Sequence, residues 1–181
     1  MPKSLMMQPL EKYFLTWEKA TQTNATQVGG KGWNLGRLAK YGFPIPVGGI
    51  LTTEAYRQFV IDNQLTGTIE SISQTLTNDN LDEYDNTLTQ LREQIRDGSL
   101  PQSVLAELVR ELNETGLVNK AVAVRSSASA EDSCQASFAG IHDSCLNVIG
   151  WENILEAIKA CYASLWTPRA VAYRRRLNIA D

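Results

Sequence analysis

A lysine set among glycines is the first feature of this chain whose residue types and spacing suggest chemistry. Gly29, Gly30, Lys31 and Gly32 directly precede a predicted helix over residues 33–42. Glycines let backbone N–H groups approach a ligand closely, and successive N–H groups form a nest for anions. Lys31 adds a point charge suited to phosphate oxygens, and the helix adds its N-terminal dipole. The tetrad therefore predicts a polyphosphate site, although a tight strand-to-helix turn would use the same glycines.

Two common phosphate motifs do not fit the tetrad. A P-loop requires glycine where Ala25 stands and Ser or Thr where Gly32 follows the lysine. The dinucleotide pattern G-x-G-x-x-G fails at its third position, which is Leu35. A phosphate site here would thus be of another kind.

A second candidate region begins at Arg125, which closes the apolar run "AVAVR". Ligands of α/β sheets tend to bind at strand ends, and a guanidinium offers a planar fork to phosphate oxygens. Downstream, Ser137 and Gly140 belong to the small-residue loop "ASFAG", whose amides could cover a phosphate chain, and Ser144 offers a hydroxyl. A β-hairpin with a surface arginine is the alternative.

Alternating strand-like and helical patterns must position these residues. The N-terminal part predicts a strand over 12–20, a loop over 25–32, the helix capped by Gly42, an extended segment over 43–53 and a helix capped by Thr52 or Thr53. The C-terminal part predicts strands at 120–127 and 144–150, a long amphipathic helix over 151–166 and a further helix from Pro168.

The middle of the chain, residues 64–119, predicts a helical hairpin. Leu81, Tyr84, Leu88, Leu91 and Ile95 recur at steps of three and four before Gly98 ends the first helix. The second helix has Pro101 near its first turn and places its apolar residues on one side: Val104, Leu105, Leu108, Val109 and Leu112.

Composition narrows the class of protein. The 181-residue chain has a formal net charge of −3 and no apolar run of membrane-spanning length, so neither nucleic acid nor a membrane is an expected partner. Cys134, Cys145 and Cys161 are odd in number and contain no C-x-x-C pair, which favours structural thiols in a reducing, cytoplasmic compartment. With His142 as the only histidine, a zinc site is disfavoured.

Five blocks in order identify a resemblance: "VGGKGWNLGRL", "GFPIPVGGILTTEAY", "AVRSSASAED", "ASFAGIHDSCLNV" and "ASLWTPRAVAYR". Together they resemble the N-terminal nucleotide-binding domain of the phosphoenolpyruvate-utilising dikinases, a family that includes phosphoenolpyruvate synthase, pyruvate phosphate dikinase and rifampin (rifampicin) phosphotransferase. The resemblance implies an α+β, ATP-grasp-like nucleotide-binding lobe, in which a mixed sheet carries a helical insert. Residues 1–63 would form the Gly-rich loop region, 64–119 the insert, and 120–181 the arginine strand, phosphate loop and C-terminal helices.

The resemblance also implies roles for particular residues. Lys31 and Arg125 match family residues that contact ATP phosphates, Gly140 matches the small-residue phosphate loop, and Ser144 stands where many members have threonine. ATP and Mg²⁺ are the implied cofactors. The family transfers the β-phosphate of ATP to a histidine on a mobile domain and then to pyruvate, giving phosphoenolpyruvate, AMP and phosphate. His142 lies within a nucleotide-binding block, so it is not expected to be that histidine.

The family's domain continues past residue 181, and its metal-binding carboxylates lie in that continuation. We therefore expect a truncated fragment, inactive alone, that lacks the second lobe, the phosphohistidine domain and the acceptor domain. Exposed apolar surface could then support dimers. Arg169, Arg174, Arg175 and Arg176 are expected to serve the missing lobe. Two alternatives stay open: a rifampin phosphotransferase lobe, and a non-catalytic module that binds nucleotide or another protein.

Overall fold

The computed structural model describes residues 12–76, 84–127, 144–177 and 179. Within these ranges the strands are β1 Phe14–Thr16, β2 Gly49–Leu51, β3 Val122–Arg125 and β4 Ser144–Val148. The helices are α1 Trp17–Ala20, α2 Ala25–Lys40, α3 Thr53–Asp62, α4 Thr66–Thr75, α5 Asp85–Asp97, α6 Gln102–Glu114, α7 Trp151–Ser164 and α8 Pro168–Arg176. The chain is therefore α+β, as predicted.

The described strands form two separate antiparallel pairs, β1 with β2 and β3 with β4. The mixed sheet expected from the sequence is not formed by these residues. The predicted strand over 12–20 is also too long. After three residues of β1, the Thr16 side chain accepts a hydrogen bond from the Lys19 amide and begins helix α1. A threonine N-cap thus ends the strand that the aromatic pattern predicted to continue.

Most helix boundaries in the predicted hairpin are confirmed. Helix α5 buries Leu88, Leu91 and Ile95 and ends at Gly98, and α6 follows Pro101. Leu81 lies outside the described residues. Among the apolar residues predicted to share one side of α6, Val104, Leu108 and Leu112 are buried, whereas Val109 is 38% exposed.

Helix α4 was not predicted. Its sequence "TGTIESISQT" is rich in Thr, Ser, Ile and Gly, which have modest helix propensity. Packing overrides that propensity here: Ile72 within the helix and the flanking Leu65 and Leu76 are all at most 4% exposed. Tertiary burial, and not local preference, makes this segment helical.

Two apolar cores of different size result. The main core joins the helices and includes Phe59, Ile72, Leu88, Leu91, Ile95, Val104, Leu108 and Ile158. A smaller core lies beneath the glycine-rich segment and consists of Leu15, Ala20, Val28 and Ile50, with Trp17 and Trp33 packed against it. The candidate site residues of the N-terminal part are positioned by the smaller core.

Two arginines of α8 hold this helix against other parts of the chain. The Arg174 guanidinium is buried, donates a hydrogen bond to the Leu165 carbonyl oxygen and stacks 5.3 Å from the centroid of the Trp166 ring. Arg175 donates to the Ser73 carbonyl oxygen at 3.0 Å and so ties α8 to α4. The prediction that this cluster serves another lobe is wrong for these two residues, because both bind carbonyl groups of this chain.

Candidate functional site

The glycine-rich segment is helical on both sides of one break. The Asn24 side chain accepts a hydrogen bond from the Gln27 amide at 3.1 Å and begins α2 eight residues before the predicted start at residue 33. The helix is interrupted at Gly29, whose φ of 72° and ψ of 164° are not helical, and resumes immediately afterwards. The predicted loop over 25–32 is therefore wrong, because the Asn24 cap begins a helical turn on the N-terminal side of the glycines.

Gly29 adopts a backbone conformation that is essentially restricted to glycine. A Cβ atom at this position would lie 1.7 Å from the carbonyl oxygen of Ser127. Both the positive φ and the close approach of a second backbone thus require the missing side chain. Gly32 has a related role, since a Cβ there would lie 2.9 Å from the Ile50 side chain of the smaller core.

Ser127 joins the two candidate regions directly. Its hydroxyl accepts a hydrogen bond from the Gly32 amide at 2.9 Å and donates one to the Val28 carbonyl oxygen at 3.0 Å. These bonds cross 95 and 99 residues of sequence. The sequence did not predict this role, although the hydroxyl lies in the "RSS" run at the end of the arginine strand.

The bond to Ser127 also limits the distance between the two predicted phosphate-binding cations. Gly32 follows Lys31, and Ser127 lies two residues after Arg125, so the Cα atoms of Lys31 and Arg125 are within about 15 Å of each other. Lys31 is half-buried in the first turn after the break, and Arg125 is exposed. Both side chains are long enough to reach a ligand placed between them.

Arg125 and Ser144 are opposite each other in the β3–β4 pair. Residues paired across an antiparallel ladder project to the same face, so this face presents a guanidinium beside a hydroxyl. The residues of β3 alternate between half-buried and exposed, although the run "AVAV" is apolar throughout. The predicted site residues Ser137 and Gly140, together with His142, lie outside the described residues.

The glycine amides of the tetrad are not equivalent. Gly29, Gly30 and Gly32 are all buried, and the Gly32 N–H already donates to Ser127. In this conformation Gly32 contributes to the site through that bond.

The described residues contain no group of three or more His, Cys, Asp or Glu side chains arranged to hold a metal ion. Across the same residues, no helix is both long and apolar enough to cross a membrane.

Comparison with known proteins gives the family. Residues 25–181 match the family described as "Pyruvate phosphate dikinase, AMP/ATP-binding domain". The phosphoenolpyruvate synthase of Aeropyrum pernix is 36% identical over 176 residues, which cover 94% of this chain and 22% of that protein. The rifampicin phosphotransferase of Streptomyces sviceus is 40% identical over 174 residues, which cover 94% of this chain and 20% of that protein. The chain thus spans about a fifth of the length of these relatives. Because the match extends over most of its residues, the chain belongs to the pyruvate phosphate dikinase AMP/ATP-binding domain family.

Proposed function

We propose that this chain is the nucleotide-binding part of an ATP-dependent dikinase. In this reaction the β-phosphate of ATP passes to a histidine on another domain and then to pyruvate, and the products are phosphoenolpyruvate, AMP and phosphate. The observation that carries the proposal is the hydrogen-bonded junction at Ser127, which holds the lysine-bearing helix beside the arginine-bearing strand. Family membership and the phosphoenolpyruvate synthase relatives support it.

Lys31 and Arg125 supply the positive charge in this proposal. Lys31 stands in the first helical turn after the break, where the helix dipole also favours an anion. Arg125 offers two parallel N–H groups to phosphate oxygens, and Ser144 adds a hydroxyl on the same face. Phosphoryl transfer depends mainly on positioning and on stabilising charge, which are the contributions that two such cations make.

The remaining predicted ligands complete the proposed site. Gly30 would let the backbone approach the phosphates closely, whereas the space beside Gly29 is filled by the Ser127 carbonyl group. Ser137 and Gly140, which lie outside the described residues, would cover the phosphate chain. Mg²⁺ would supply positive charge to the ATP phosphates, and the described residues include no cluster of carboxylates that would hold it.

An antibiotic is the second candidate for the final phosphate acceptor. Identity to the rifampicin phosphotransferases of Streptomyces sviceus and Bacillus cereus is 40%, and identity to the probable phosphoenolpyruvate synthase of Staphylothermus marinus is 39%, so sequence identity favours neither acceptor. This lobe would bind ATP in the same way for either acceptor. Pyruvate and rifampicin offered in turn to the complete protein, with ATP, distinguish the two outcomes.

Calorimetric titration with ATP, with and without Mg²⁺, tests the proposed site. Lys31→Ala and Arg125→Ala are each expected to weaken binding at least about tenfold, because a hydrogen bond to a charged group contributes about 1.5–3 kcal/mol. Lys40→Ala and Arg96→Ala remove exposed cations elsewhere and should change the affinity less than about twofold. Equal binding by the unmodified chain and both site variants would contradict the proposal and favour a module that binds something else.

Three further expectations belong to this proposal. The histidine that accepts phosphate lies on another domain, so radiolabelled ATP should leave no acid-labile phosphate on His142.

The exposed Tyr41, Phe43 and Val47 support self-association, which light scattering over a dilution series would detect. A cytoplasmic location fits the odd number of cysteines in the sequence and its lack of a C-x-x-C pair.

A further inference from the structure

We propose that Ser127 is a positioning residue that caps the second segment of α2 from a distance and thereby orients Lys31 and Arg125 together. The inference rests on the proposed function, since orientation matters only if these cations bind one ligand. It concerns a residue that itself need not touch that ligand. Its basis is the pair of hydrogen bonds that the Ser127 hydroxyl makes at the helix break.

The helix break creates a need for a cap. Gly29 occupies the N-cap position of the segment that resumes after it, and Gly32 is then the third helical residue. In ordinary helices an N-cap Ser, Thr, Asp or Asn accepts a hydrogen bond from the amide of the second or third residue. Gly29 has no side chain to do so. The Ser127 hydroxyl accepts the Gly32 N–H in its place.

The same hydroxyl satisfies the other side of the break. The Val28 carbonyl group lies at the end of the first helical segment, and Ser127 donates its proton to that oxygen. One side chain therefore bonds both ends of the interruption, and its conformation is fixed by two partners. The backbone of Ser127 is held as well, because its carbonyl oxygen occupies the space in which a Gly29 side chain would stand.

This arrangement links the two cations mechanically. Lys31 lies between the break at Gly29 and the capped amide of Gly32, so the direction of its Cα–Cβ bond depends on how that turn is held. Arg125 lies two residues before the capping serine on the same short segment. Loss of the hydroxyl would release one turn of helix and one strand end relative to each other, although both cations would remain.

The test uses ATP affinity together with a local spectroscopic signal. The variants are Ser127→Ala, Ser127→Thr, Lys31→Ala and the double variant Ser127→Ala with Lys31→Ala. Ser164→Ala is the matched control, because its buried hydroxyl also donates to a backbone carbonyl oxygen, that of Cys161 at 2.8 Å, but in α7. Calorimetry measures ATP binding, thermal unfolding measures stability, and NMR of ¹⁵N-glycine-labelled protein reports the Gly32 amide proton.

We expect Ser127→Ala to shift the Gly32 amide signal upfield and to weaken ATP binding at least about fivefold. Ser164→Ala should lower the unfolding temperature comparably and leave ATP binding within about twofold of the unmodified chain. In the Lys31→Ala background, Ser127→Ala should weaken binding clearly less than it does alone, because one of the two cations that it positions is already gone. Ser127→Thr keeps the hydroxyl and should retain both the Gly32 signal and the affinity.

The results separate this inference from the function on which it rests. If Lys31→Ala weakens ATP binding but Ser127→Ala does not, the positioning role is wrong and the phosphate site stands. The positioning role is also wrong if the losses of ATP affinity in the two single variants simply multiply in the double variant. It is wrong as well if Ser127→Thr keeps the native Gly32 signal but binds ATP as weakly as Ser127→Ala. If Lys31→Ala binds ATP normally, the proposed function fails, and the positioning role fails with it.

Discussion

The main helical core and the glycine junction are held together by different forces. In the helical core, large side chains such as Phe59, Leu88 and Leu91 are fully buried, and burial of apolar surface dominates their contribution to stability. At the junction the buried apolar cluster has only four members among the described residues, far fewer than the main core, and two backbones meet through a glycine and a serine hydroxyl. The first region supplies stability, whereas the second sets the relative position of two segments.

This difference predicts different responses to substitution. A side chain lost from the helical core should lower the free energy of unfolding strongly and affect ligand binding only through the population of folded molecules. A change at the junction should cost less stability, because little apolar area is involved, but should alter the geometry of the candidate site directly.

The largest loss of stability is expected for Phe59→Ala. The Phe59 side chain is 0% exposed, and truncation of a buried phenylalanine to alanine costs about 3–5 kcal/mol. Urea unfolding measures the change, and ATP affinity of the molecules that remain folded should be unaltered. Phe59→Leu, which keeps most of the apolar volume, is the control and should cost clearly less. A loss below about 1 kcal/mol for the alanine variant would mean that the helical core does not carry the stability.

A smaller loss of stability, with a larger loss of binding, is expected for Gly29→Ala. The φ and ψ angles of Gly29 cost a residue with a side chain about 1–3 kcal/mol, and its Cβ would displace the Ser127 carbonyl oxygen. Calorimetry should therefore show ATP binding weakened at least about tenfold in the folded variant. Gly67→Ala makes the same change in α4. There an added Cβ would meet no atom of another segment within 4 Å, so the substitution should instead stabilise by about 0.5–1 kcal/mol. Native ATP affinity in Gly29→Ala would contradict the distinction between the two regions.

The two regions also differ in how far the sequence predicts them. The helical core could be predicted because apolar residues recur with the period of a helix, as Leu88, Leu91 and Ile95 do in α5. Helix α4 escaped because its residues have modest helix propensity and its order comes from burial. A helical repeat is visible in a single sequence, because it recurs every three or four residues. A tertiary contact such as that of Ser127 is not visible there.

The candidate site illustrates the same limit. The residue types of Lys31 and Arg125 predict phosphate chemistry from the sequence alone, because a glycine-flanked lysine and an arginine at a strand end both suit phosphate oxygens. The contact between Gly32 and Ser127 crosses 95 residues and leaves no periodic pattern. The helical start at Asn24 was also missed, since the glycines suggested a loop where only Gly29 departs from helical geometry.

The smallest effect concerns two hydroxyl groups that should respond with opposite sign. The Tyr162 oxygen is buried in the helical core, where burial raises the pKa of this phenol and no described residue is its hydrogen-bond partner. Its ring packs against Tyr56 and Phe59, with centroids 4.9 and 5.3 Å away. Tyr162→Phe keeps that packing and removes the desolvated oxygen, so it should be neutral or stabilise by up to about 1 kcal/mol.

Ser127→Ala removes a hydroxyl with two partners and should destabilise by about 1 kcal/mol. Urea midpoints at constant m-value give both changes. Destabilisation by Tyr162→Phe as large as that by Ser127→Ala would show that polar contacts also stabilise the helical core, and the contrast between the two regions would then be lost.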